Sequence, residues 1–177
     1  MAGPTDATVG AAAPDPRRGP SAQDEAALAR CAAELADAVE AALPGWVLRG
    51  VVTRAGEAGL VVDDTLVGTA SVAGRACASD LGPRVRALLA LDADDQRGSP
   101  LALLRGAVVY PSRVLSAAGV PPSRRDEFAE RSFPDDAYDL APATFADIDP
   151  SLHDPGIMWG AAKAHVHLAR RRAEGLR

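Results

Sequence analysis

A chain of 177 residues, 47% of them hydrophobic, is long enough for one domain with its own core, and its net charge of −5 argues against a whole-chain nucleic-acid binder, which would carry a basic surplus. Alanine dominates the apolar residues; it forms helix well and lets helices approach closely, so the composition predicts an all-α fold, a single multi-helix domain of about six to eight helices. No segment approaches the ~20 apolar residues that span a bilayer, and no basic stretch followed by an apolar core opens the chain, so the expectation is a cytoplasmic protein.

Residues 1–20 are rich in Ala, Gly, Pro and Asp without periodicity and read as a disordered tail; 21–172 read as the helical domain and 173–177 as a basic tail. Ser21 and Asp24 make a capping signal. Leu28, Cys31, Leu35, Val39 and Ala42 then recur at helical spacing, up to a stop at Pro44-Gly45. From Trp46 the valine-rich composition suggests a strand, but Val47, Leu48, Val51, Val52 and Ala55 follow a helical period. Helix is the preferred reading there, with a short β-hairpin near 46–62 as the alternative, since Gly50 weakens a helix. Residues 64–91 read as one broken or two consecutive helices, interrupted at Gly82-Pro83.

A polar loop, Asp92 to Gly98, precedes Ser99-Pro100, an N-cap and first-turn pair. The helix they open carries Leu101, Leu104 and Val108, and Tyr110-Pro111 should bend or end it. Gly119 is the expected left-handed cap after Val114 and Leu115, with Val120 as its hydrophobic follower. Ser123 and Asp126 predict a short helix through Phe128, Phe133 to Asp136 a turn, and Pro142 the start of a helix bearing Phe145 and Ile148. Asp149-Pro150 and Asp154-Pro155 read as two further cap pairs, the second opening a last helix that ends in Arg170, Arg171 and Arg172, where cations suit the helix dipole.

Candidate chemistry is sparse. Cys31 and Cys77 lie on apolar stripes and read as buried reduced thiols. Asp92, Asp94 and Asp95 begin like a calcium loop, but Arg97 stands where that loop needs glycine and Leu103 where it needs a bidentate Glu, so no metal and no cofactor is expected. His165 and His167 point about 200° apart on a helix and cannot share an ion. His165, with Met158, Ala161 and Leu168, reads as a half-buried packing residue. Six of the seven aromatic residues lie between Tyr110 and Trp159, and nine acids fall between Asp126 and Asp154 against Arg131 alone.

The segments Asp95-Gln96, Ser99 to Arg105, Tyr110-Pro111, Ala118 to Pro122, Arg125 to Arg131, Phe133 to Asp136 and Trp159 to Lys163 together resemble a family of small uncharacterised proteins from high-GC bacteria. That resemblance implies no reaction and no site residue. Function therefore rests on the charge and aromatic pattern. The preferred expectation is a non-catalytic protein-binding or regulatory module with an acidic, aromatic face, using Tyr138, Trp159, Asp135, Asp136 and Arg105 to hold a basic protein, with the Arg tail folding back onto that face or meeting an anionic surface. The alternative is a small metal-dependent hydrolase using Asp92, Asp94 or Asp136 with His165. A nucleic-acid accessory role for Arg170–Arg172 ranks third, and no membrane partner is expected.

Overall fold

In a computed structural model of the chain, the described residues are 19–95, 98–123 and 136–175. They are helical, and no strand occurs among them. Helix α1 spans Ala22–Glu57, α2 Asp64–Leu89, α3 Pro100–Arg105, α4 Val109–Ala117 and α5 His153–Ala173. A 3₁₀ turn at Gly106–Val108 joins α3 to α4 without a break; two more, Phe145–Asp147 and Pro150–Leu152, lead into α5. The described residues thus form four helical runs rather than six to eight. The predicted disordered tail falls almost wholly outside them, as do the predicted helix after Ser123 and most of the turn ending at Asp136.

The helix count falls because prolines that look like stops lie inside helices. Pro44 removes one hydrogen bond from α1 at a cost of about 3 kcal/mol. On either side of it, Leu43, Val47 and Val51 are fully buried, and each such burial contributes about 1.5–3 kcal/mol. A break at Pro44 would forfeit more than the proline costs. Pro83 is carried through α2 in the same way, between buried Leu81 and Val85. Pro111 falls in the first turn of α4, where its missing N–H is least felt; the distortion is taken up by the 3₁₀ turn just before it.

The helical period from Trp46 prevails over its β-rich composition, and the hairpin near 46–62 does not form. Gly50 is carried within α1, and a Cβ there would make only ordinary contact with Leu140, at 3.5 Å. A left-handed glycine ends α1 at Gly59 (φ 77°), where the Leu60 N–H donates to the Ala55 carbonyl. Gly119 (φ 77°) ends α4 in the same geometry, and Val120, its N–H bonded to the Leu115 carbonyl, is buried as expected. The Ser21–Asp24 capping box opens α1 as the sequence predicts.

The core lies between α1 and α2. Val39, Leu43, Val47, Cys77 and Val85 form its centre, with Leu104 and Ala107 closing it. A second cluster, built on Val51, Ala55, Ala70, Leu115 and Tyr138, extends it toward the α1–α2 connection. The two long helices touch backbone to backbone, since a Cβ on Gly74 would lie 2.8 Å from both Cα and O of Pro44. Helix α5 packs against α1 and buries only Val166.

Smaller expectations change as well. Thr144, rather than Pro142, caps the turn carrying Phe145. Asp154 is no cap, because the turn at Pro150–Leu152 runs straight into α5. Cys77 is buried but Cys31 is only partly so, because the buried stripe of α1 runs through Ala32, Leu35, Ala36 and Val39 beside it. Ala173 belongs to α5 rather than to a tail.

Candidate functional site

Lys163, His167 and Arg170 recur at helical spacing and form the polar inward edge of α5. They meet the loop that leaves α2. In that loop Asp92 accepts the Asp94 N–H at 3.0 Å, a local turn that keeps both carboxylates together. The Arg170 guanidinium donates to both, at 2.9 Å to Asp94, and its other arm reaches Glu25 of α1 at 3.0 Å. One side chain therefore ties α5 to α1 and to the end of α2. His167 Nδ1 bonds Asp94 as well; a carboxylate only accepts, so Nδ1 carries the proton. Lys163 donates to the Asp95 carbonyl at 3.2 Å.

Trp159 completes this clamp. Its indole N–H donates to the Leu89 carbonyl at 3.3 Å, satisfying one of the acceptors left over at the end of α2. Its ring stands edge-on to Phe145 (centroids 6.5 Å apart, planes at 86°), and Lys163 Nζ lies 5.6 Å from its centroid. Phe145 seats against Gly156, where a Cβ would come within 2.9 Å of the ring. Trp159 is thus a bolt between elements rather than a surface anchor.

The charges suit each other. The Arg170 and His167 contacts hold the Asp94 carboxyl below its usual range, and the Asp94 N–H and then Arg170 do the same for Asp92. Hydrogen bonds to Asp94, Glu25 and Asp92 raise Arg170 in return. The cluster is largely exposed, so each pair is worth little alone; its strength is that of a network. Behind Arg170 lies a trough of about 390 Å³ floored by Ala32, Leu89 and Val166. The charged residues on its rim are paired within the protein, Arg86 to Asp37 at 2.6 Å among them.

The proposed acid–histidine set does not converge. His165 lies 3.5 Å from Asp24, not beside Asp92 or Asp94, and its side chain is exposed. The expectation of a half-buried His165 is therefore corrected: Met158 and Leu168, read as its buried neighbours, are 56% and 49% exposed. The residue that does meet Asp94 is His167, and the spacing of Lys163, His167 and Arg170 against an acidic loop was the signal for it. Among the described residues, no group of three or more His, Cys, Asp or Glu is placed to hold an ion.

Arg105, Asp136 and Tyr138 do come together, lining one cleft of about 970 Å³ beside α4. Tyr138 nevertheless points inward: it is 5% exposed and its hydroxyl donates to the Val120 carbonyl at 3.1 Å. Asp136 is equally buried and accepts the backbone N–H groups of Tyr138 and Ala141. Asp135 lies outside the described residues. Most of the other described acids of this span also have local duties. Asp147 accepts the Thr144 N–H at 2.7 Å, and Asp149 binds Ser151 and Arg49. Asp139 takes a left-handed turn (φ 54°), which aspartate tolerates. Of the Arg tail, Arg170 turns to the Asp92 loop.

The unexplained surface is on the far side of α5. Ile157, Met158 and Leu168 are large, apolar and roughly half exposed; Ile157 and Leu168 share one face about three turns apart, with Met158 at its edge. Among the described residues no helix is long and apolar enough to cross a membrane. Comparison of the chain with protein-family models, with curated proteins and with solved structures found no match.

Proposed function

We propose that the protein is a non-catalytic, cytoplasmic protein-binding or regulatory module whose docking surface is the outward face of α5. The observation that carries this reading is the exposed apolar pair Ile157 and Leu168, with Met158 at its edge, on a helix whose inward side is held by a polar clamp. A helix fixed by charges and one indole presents its other side as a ridge on which a partner helix can lie. The two free thiols suit a reducing compartment. The partner needs an apolar ridge with a cation opposite Asp154 and an anion opposite Arg171 and Arg172. The described acids between Asp126 and Asp154 mostly serve caps and turns, so the basic partner expected from that span does not enter this reading.

Replacing Ile157 and Leu168 together by Asp tests this. The double variant should keep the helical circular-dichroism signal and melt within a few degrees of the parent, because neither side chain is buried. It should lose association, read by sedimentation of the purified chain and by capture of other proteins from lysate. Identical sedimentation and identical captured proteins in parent and variant would sink the proposal.

A further inference from the structure

We infer that the occupant of this face is a second copy of the chain, docked along α5 in antiparallel register. The inference rests on reading α5 as a docking surface. Asp154, Ile157, Ala161, Ala164, Leu168 and Arg171 are all exposed, and they follow one another at spacings of three, four, three, four and three. That is the a/d seam of a two-helix coiled coil, with the apolar positions in the middle and a charge at each end. The drift of a straight helix, about 20° per heptad, is small over so short a seam. Trp159, Lys163, Val166 and Arg170 fall on the opposite side of the helix, and these are the residues that hold α5 to its own domain.

The seam also reads the same from both ends. About the midpoint between residues 162 and 163, Ile157 mirrors Leu168, Ala161 mirrors Ala164, and Asp154 mirrors Arg171 with the opposite charge. A two-fold axis at that point lays Ile157 of one copy on Leu168 of the other. It crosses the helices at the alanines, where small side chains permit close approach, and sets each Asp154 against an Arg171, with Arg172 alongside. A parallel pair would instead place Asp154 against Asp154 and Arg171 against Arg171, so charge selects the antiparallel arrangement. The antiparallel pair is closed by its own symmetry and stops at two copies.

The test uses the full chain with Cys31→Ser. Mixing chains carrying Ala161→Cys with chains carrying Ala164→Cys should give a disulfide-linked pair under mild oxidation, faster than either chain alone. Crosslinking of the Ala161→Cys chain with itself in preference would overturn the register. Asp154→Arg should raise the dimer dissociation constant roughly tenfold, because two exposed contacts reverse sign at once. Adding Arg171→Asp should restore it, and failure of that rescue in a folded double variant contradicts the pairing. A parent chain that remains monomeric at about 100 μM, a fair demand on a small interface, overturns the second copy as occupant. The docking surface itself then stands if Ile157→Asp/Leu168→Asp still abolishes capture of another protein, and falls with the dimer if capture is unchanged.

Discussion

The α1–α2 pair and α5 are joined to the molecule by opposite kinds of contact. The two long helices meet through alanine, valine and leucine at full burial, and at Pro44 and Gly74 their backbones touch. Helix α5 buries one residue and is tied by Arg170, His167, Lys163 and the Trp159 indole. Close packing makes the first junction intolerant of volume, with charge confined to its exposed edge, where Arg86 meets Asp37 and Glu40. The second tolerates volume on its outer face and answers to charge. A scaffold and a presented helix divide the work.

The sharpest way to break the scaffold side is Gly74→Ala. Its methyl would press on the Pro44 backbone, which has nowhere to go, and the loss should be about 1–3 kcal/mol or more. Gly68→Ala in the same helix meets nothing within 4 Å and should instead gain up to about 1 kcal/mol. Urea unfolding of the two variants, with midpoints moving in opposite directions, checks the claim. On the other side, Arg170→Ala removes the residue shared by α1, the Asp92 loop and α5. Amide exchange in α5 should rise roughly tenfold, while the centres of α1 and α2 change little; equal acceleration in all three would mean the junctions do not differ.

Acid sharpens the same contrast. The Asp92 and Asp94 carboxyls are held below their unfolded range, so the clamp contributes stability above that range and loses it as pH falls through the folded values. Loosening of α5 is expected below about pH 4, before the α1–α2 pair melts, and tryptophan fluorescence of a Trp46→Phe chain against helical circular dichroism would separate the two events. The smallest effect concerns thiols. Burial, and then Asp80, pushes the Cys77 thiol up to about 12. A neutral-pH thiol reagent should therefore modify Cys31 readily and reach Cys77 only as the α1–α2 pair opens. Prompt labelling of Cys77 in the native protein would contradict the packing described.

Local signals were legible wherever they act locally. The Ser21 capping box, the left-handed glycine after α4 and the helical period through Val47, Val51 and Ala55 all read true. The prolines misled because their cost is set locally and repaid by burial across the molecule, which no single window of residues displays. The direction of α5 misled for a similar reason. Met158, Ala161 and Leu168 read as a packing face around His165, while the face that docks carries Trp159, Lys163 and Arg170. Only the distant Asp92 loop and the end of α2 make that polar face the inner one. Of the candidate binding residues, Arg105, Asp136 and Tyr138 line one cleft, but Tyr138 and Asp136 serve the interior.

The most direct test of the central claim is amide exchange of the full chain at low and high protein concentration. If the outward face of α5 receives a second copy, amides between Asp154 and Arg172 should become slower as concentration rises, while those of α1 and α2 stay unchanged. No dependence on concentration, or protection that appears in another helix and not in α5, would contradict it.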